Sequence, residues 1–128
     1  MLELRVVVGA RQRASLRDAI GRECRRADAA EEHVERVCAV AVELITDDVS
    51  APRFGRRDKS VLVVVTAHSD STMLLVRDPA ATRGELGERR YALLQESAAR
   101  WSTMSGIDGR TIWAEIPRAA VSPVACAR

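Results

Sequence analysis

Two apolar runs, Ser60 to Ala67 (SVLVVVTA) and Ser71 to Arg77 (STMLLVR), constrain this chain more than any other feature. Both are rich in β-branched and aliphatic residues, and only His68-Ser69-Asp70 separates them, so they read as an antiparallel hairpin. The unbroken apolar character of Val61 to Val65 marks a central strand covered to some degree on both faces. Asp78-Pro79 closes the second strand.

The cover comes from helices. In Val34 to Val49 (VERVCAVAVELITDDV) the residues Val34, Val37, Cys38, Ala41, Leu44, Ile45 and Val49 recur at three- and four-residue steps, one face of an α-helix. Glu43 and Asp47 lie one turn apart on the edge of that stripe. Two carboxylates so placed repel, so either both face water as the solvated edge of a core helix or something positive sits between them. The helix ends near Ser50-Ala51-Pro52, because proline disfavours helix in the residue before it.

The remaining elements fall around these. Leu2 to Val8 (LELRVVV) reads as a strand that Gly9 ends. Ala14 to Arg26 carries a helical stripe of Leu16, Ala19, Ile20 and Cys24, with arginines and acids on its other face. After a break at Asp28, Glu31 and Glu32 suit the positive end of the next helix. Arg53 to Lys59 is a basic loop and Ala80 to Gly87 a second loop. Glu88 to Arg100 has Tyr91, Leu94 and Ala98 at helical spacing and runs into Trp101. Ser102 to Ser105 and Arg110 to Ile116 form a second hairpin through Gly106-Ile107-Asp108-Gly109. Trp101 and Trp113 are expected in the core, among small aliphatic side chains.

The order strand, helix, helix, hairpin, helix, hairpin implies an α+β fold: a two-layer sandwich whose mostly antiparallel mixed sheet is covered on one face by three helices. It forms a single domain over residues 1–117, with 118–128 as a frayed tail. The uncovered sheet face is then either solvated or used for self-association.

Composition narrows the function classes. At 128 residues, 47% hydrophobic and 30% charged, the chain is one globular domain that needs no disulfide or structural metal to bury a core. A net charge of +2, with acids interleaved among the arginines, and only four aromatic residues argue against a nucleic-acid partner. Cys24, Cys38 and Cys126 fit no metal-binding spacing, His33 and His68 are isolated, and the odd thiol count suits a reduced, cytoplasmic protein. No apolar run approaches the roughly 20 residues that span a bilayer, so no membrane partner is expected.

The motifs resemble the Bergerat-type ATP-binding domain of the GHKL superfamily, the histidine-kinase-like ATPases, and in particular its anti-sigma-factor serine kinase branch. The family's helix motif, close to E-L-x-x-N-A-x-x-H, aligns with Glu43-Leu44-Ile45-Thr46-Asp47-Asp48-Val49-Ser50-Ala51. Its D-x-G-x-G turn aligns with Asp78-Pro79-Ala80. Its Trp-Gly pair and last strand, of the type G-K-T-V-W-A, align with Trp101-Ser102 and Gly109-Arg110-Thr111-Ile112-Trp113-Ala114. The resemblance covers about Leu16 to Ile116.

It implies roles residue by residue. Glu43 takes the place of the general base, and Asp47 that of the asparagine that holds magnesium. Asp78, with Thr111 as companion, takes the place of the adenine reader. Gly87 takes the place of a glycine where backbone amides at a helix N-terminus cradle phosphates. ATP and Mg are the implied ligands, the implied partner is a sigma factor or anti-sigma antagonist, and with the open sheet face the resemblance favours a homodimer.

The chain also departs from the pattern. Pro79 and Ala80 stand where the family has glycines that let the backbone approach the nucleotide, and the second glycine of the phosphate segment is missing from Gly84 to Tyr91. The adenine end is partly kept and the phosphate end eroded, the reverse of what phosphoryl transfer demands. The expectation is a degenerate regulatory binding module with weak or no nucleotide turnover. The alternatives are an active ATP-dependent serine kinase, with Glu43 as base and Asp47 on magnesium, and a ligand-free structural or dimerisation domain.

Overall fold

The computed structural model of the chain describes residues 1–7, 10–45, 60–78, 87–106 and 109–119. The elements run β1 (Leu2–Val7), α1 (Ala10–Arg26), α2 (Glu31–Ile45), β2 (Ser60–Ala67), β3 (Ser71–Asp78), α3 (Glu88–Ser97), β4 (Arg100–Gly106) and β5 (Gly109–Pro117). The strands form one five-stranded sheet in the order β1-β2-β3-β5-β4, with every neighbouring pair antiparallel. The fold is the expected α+β two-layer sandwich. Its two hairpins join through β3 and β5, and β1 returns to pair with β2.

Alternation along the strands separates the faces. Val61, Val63 and Val65 of β2, Leu74 and Val76 of β3, and Ile112, Ala114 and Ile116 of β5 are at most 2% exposed and point at the helices. Each of these valine, leucine and isoleucine side chains contributes about 1.5–3 kcal/mol when it leaves water. From α1 they meet Leu16, Ile20 and Cys24, and from α2 they meet Val34, Val37, Cys38, Ala41, Leu44 and Ile45. Val49 lies outside the described residues. Val40 and His33 are also buried, at 0% and 1% exposure, although neither belongs to the stripe. The cause is position: α2 is the middle helix and touches α1, α3 and the sheet, so it buries a wider arc than a helix with one neighbour.

Several boundaries differ from the sequence reading. Helix α1 starts at Ala10, a turn before Ala14. Its outer face has one exception in Glu23, which is 8% exposed and pairs with Arg26 at 3.8 Å and with the Met1 amino group at 3.0 Å. Helix α3 ends at Ser97 rather than Arg100. Ala98 is extended at φ −103°, and the Ala99 amide bonds the Glu115 carbonyl at 2.8 Å, so pairing with β5 takes over before the helical spacing runs out.

Trp101 therefore opens a strand. It packs edge-on against Tyr91 with ring centroids 5.4 Å apart and lies against the core. Trp113 corrects the expectation of a core tryptophan: it sits between Ile112 and Ala114 and so points to the opposite face, where the Arg100 guanidinium stands 6.0 Å from its ring. That face, away from the helices, carries half-buried Leu62, Val64, Met73, Leu75 and Trp113. Among the described residues no helix is long and apolar enough to cross a membrane.

The turn between α1 and α2 is a compact helix stop. The Ala29 amide bonds the Cys24 carbonyl and the Asp28 amide bonds the Arg25 carbonyl, both at 3.0 Å, with Asp28 left-handed at φ 59°. Arg25 then reaches Glu31 at 2.7 Å, tying the end of α1 to the first turn of α2.

Candidate functional site

The antiparallel order gives the sandwich two distinct ends. At the upper end β3 stops at Asp78, β5 starts at Gly109, α2 finishes, and α3 begins behind Gly87. At the lower end β3 starts at Ser71, β5 stops at Pro117, and α2 begins.

Three of the five site residues expected from the sequence, Glu43, Asp78 and Gly87, lie at the upper end. Glu43 projects from the last turn of α2 and its carboxylate forms an ion pair with the Arg89 guanidinium of α3, 3.2 Å away. Asp78 ends β3 directly across from Arg110 of β5. Gly87 caps α3 with no side-chain hydrogen bond, and its carbonyl accepts the first helical bond, from Tyr91, at 3.0 Å. Among the described residues, a Cβ placed on Gly87 would meet no atom within 4 Å.

Thr111 does not join them. It shares its face with Arg77, its cross-strand partner, whereas Asp78 and Arg110 share the face of Val76 and Ile112. The strand alternation thus turns Thr111 away from Asp78 and puts an arginine in the companion's place. Asp47 lies outside the described residues, as do Pro79 and Ala80.

Neither Arg110 nor Arg89 is among the site residues expected from the sequence. Arg110 is half-buried, and burial holds its guanidinium below the usual arginine range; Arg90 nearby lowers it further, and Asp78 works the other way. The signal for Arg110 was present in the sequence, because residues 110, 112, 114 and 116 share one parity and the last three are apolar. Arg89 carried no such signal, since its partner lies on another helix.

The group at this end can do limited chemistry. Arg89, Arg90 and Arg110 are three cations against the three carboxylates of Glu43, Asp78 and Glu88, the last in the first turn of α3, so the charges balance. A general base needs a lone pair aimed at the proton it removes, and Glu43 has one oxygen engaged by a guanidinium. The described residues do not fit ATP: their charges balance, Thr111 faces away from Asp78, and no step through the nucleotide follows from them. Nor does any group of three or more His, Cys, Asp or Glu side chains stand together among the described residues.

No family model matches this sequence, and no curated protein matches it. The chemistry of the chain therefore has to be read from its own geometry.

The lower end holds a second polar cluster, with His33 and Thr72 buried and Arg36 and Arg118 half-buried, bonded mostly to backbone. His33 Nε2 and the Thr72 hydroxyl are 2.6 Å apart, both groups being within 1% of full burial. Burial pushes the His33 imidazole below its ordinary range, and the Arg118 and Arg36 guanidiniums push the same way. The Pro117 carbonyl, close by without a bond of good geometry, opposes them. Arg118 donates to the Ala27 and His68 carbonyls, each at 2.7 Å, and its amide bonds the Asp70 carbonyl at 2.9 Å. Arg36 donates to the Pro117 carbonyl at 3.0 Å.

The thiols of Cys24 and Cys38 are free and buried. Burial raises both, Cys38 to about 11, so neither is an activated nucleophile.

Proposed function

We propose that this chain is a degenerate histidine-kinase-like ATPase domain working as a protein-binding regulatory module, with weak or no nucleotide turnover. The observation that supports the reading most is the Glu43–Arg89 ion pair, which engages the carboxylate in the general-base position with a cation from α3. The facing of Thr111 away from Asp78 points the same way, because the adenine companion is then absent from the site. The half-buried apolar face of Leu62, Val64, Met73, Leu75 and Trp113 is the kind of surface a protein partner covers. A partner of the sigma-factor or anti-sigma-antagonist type follows from the motif resemblance, and buried free thiols suit a cytoplasmic setting.

A second reading, an active ATP-dependent serine kinase, draws on the placement of Glu43, Asp78 and Gly87 at the same end of the sheet. Calorimetric titration with ATP, with and without magnesium, separates the two. The binding-module reading expects no magnesium-dependent binding in the micromolar range. Micromolar, magnesium-dependent binding that Asp78→Asn removes, together with phosphate transfer that Glu43→Ala removes, would replace it with the kinase.

A further inference from the structure

Strand β1 occupies one edge of the sheet, so one side of its backbone bonds β2 and the other meets no strand among the described residues. Such edges template the addition of another strand, and proteins usually blunt them with a bulge, a proline or charged side chains. β1 has no bulge and no proline, and its charges are one of each sign, so they repel some registers and attract in another. Its register against β2 runs unbroken from Leu2 opposite Val65 to Val7 opposite Ser60, its sequence LELRVV lacks proline, and its two charges, Glu3 and Arg5, have opposite signs. Both are exposed, and neither makes an ion pair among the described residues.

The spacing of those charges has a geometric consequence. Two copies related by a two-fold axis normal to the sheet pair antiparallel, and because paired residues share a face, the axis must pass through a residue and not between residues. Centred on Glu3, the pairing sets Glu3 against Glu3 of the second copy. Centred on Arg5, it sets Arg5 against Arg5. Centred on Leu4, it sets Glu3 against Arg5 of the second copy and Arg5 against Glu3, with Leu4 against Leu4 on the core face. Only this last register joins opposite charges, twice, and like charges directly opposed are destabilising.

The apolar side agrees. Leu2 and Leu4 are only half-buried although both pack against the core, so the sheet leaves the end of its apolar layer open at this edge. The second Leu4 would cover it. The opposite edge lacks such a code: the one charge of β4, Arg100, is paired with Glu115 of the neighbouring strand, and Ser102, Thr103, Met104 and Ser105 are exposed and uncharged, which select no register.

We propose that β1 is a self-complementary interface, at which a second copy of this chain adds antiparallel about Leu4 to continue the sheet through both molecules. The proposal stands apart from any nucleotide chemistry and uses the sheet's edge, not its open face.

Sedimentation of the 128-residue chain across a concentration series tests it. Wild type should dimerise. Glu3→Arg and Arg5→Glu should each raise the dimer Kd by about tenfold or more, since each turns two attractive pairs into repulsive ones. Mixed together, the two variants should form a heterodimer of wild-type affinity, and the double variant Glu3→Arg/Arg5→Glu should dimerise as wild type does. These rescues distinguish a lost contact from a lost fold. A wild type that stays monomeric throughout would overturn the proposal, as would a dimer whose Kd neither reversal moves.

Discussion

At the lower end of the sandwich an arginine, a histidine and a threonine are drawn inward, and most of their bonds go to backbone carbonyls or to each other. At the upper end Arg89, 87% exposed along its side chain, meets a carboxylate that keeps 22% of its own surface in water. The difference teaches what each end is for. Polar groups bonded to backbone under cover hold elements in register, because leaving any of them unmade strands a buried donor or acceptor. Charges paired in water add little to stability, so the upper end does not hold the fold together.

The largest break in this comparison should come from Arg118→Ala. It removes a charged donor from the carbonyls of Ala27 and His68, which belong to the α1–α2 and β2–β3 turns, and should cost roughly 2–4 kcal/mol in urea unfolding. Thr72→Val comes next: it preserves shape but strands His33 Nε2, at about 1–3 kcal/mol by the same measurement. If either variant unfolds with the wild-type midpoint, the lower end is not the clasp described above.

Acid should act on the lower end first. The folded His33 imidazole titrates below its ordinary value of 6.5, so its contribution is complete above that pH and declines as pH falls below it, while the unfolded chain takes up the proton and the folded one does not. Glu31 and Glu115, held low by Arg25 and Arg100, add their losses only below the ordinary carboxylate value of 4.5. Thermal unfolding of wild type and His33→Gln between neutral pH and pH 5 isolates the first step. The two curves should converge as pH falls, and parallel curves would exclude His33 as its source.

The smallest effect belongs to Arg89→Ala, which should change stability by less than about 1 kcal/mol because the guanidinium is almost wholly solvated. A larger loss would make the upper end as structural as the lower one and erase the distinction between them.

Much of this was legible in the chain. The stripe of Val34, Val37, Cys38, Ala41, Leu44 and Ile45 is buried as its spacing requires, and the Ser60–Ala67 and Ser71–Asp78 hairpin turns at His68-Ser69-Asp70. In β5 the alternation already distinguishes Arg110 from Thr111, and motif matching overrode it by favouring the residue type over the face. The end of α3 was misplaced because Ala98 fits a helical spacing equally well, and only pairing of the next residue with Glu115 withdraws it from the helix.

What the sequence determined by itself is whatever repeats locally: the element order, the periods of about 3.6 and 2, and the face on which each strand residue stands, all set by backbone geometry within a few residues. What the tertiary structure decided is which groups meet across elements. Glu43 finds Arg89 from a separate helix, His33 sinks against Thr72 because α2 lies in the middle of its layer, and Arg118 bridges two turns distant in sequence. Such meetings depend on the stacking of layers and the direction of strands, and no local period encodes them.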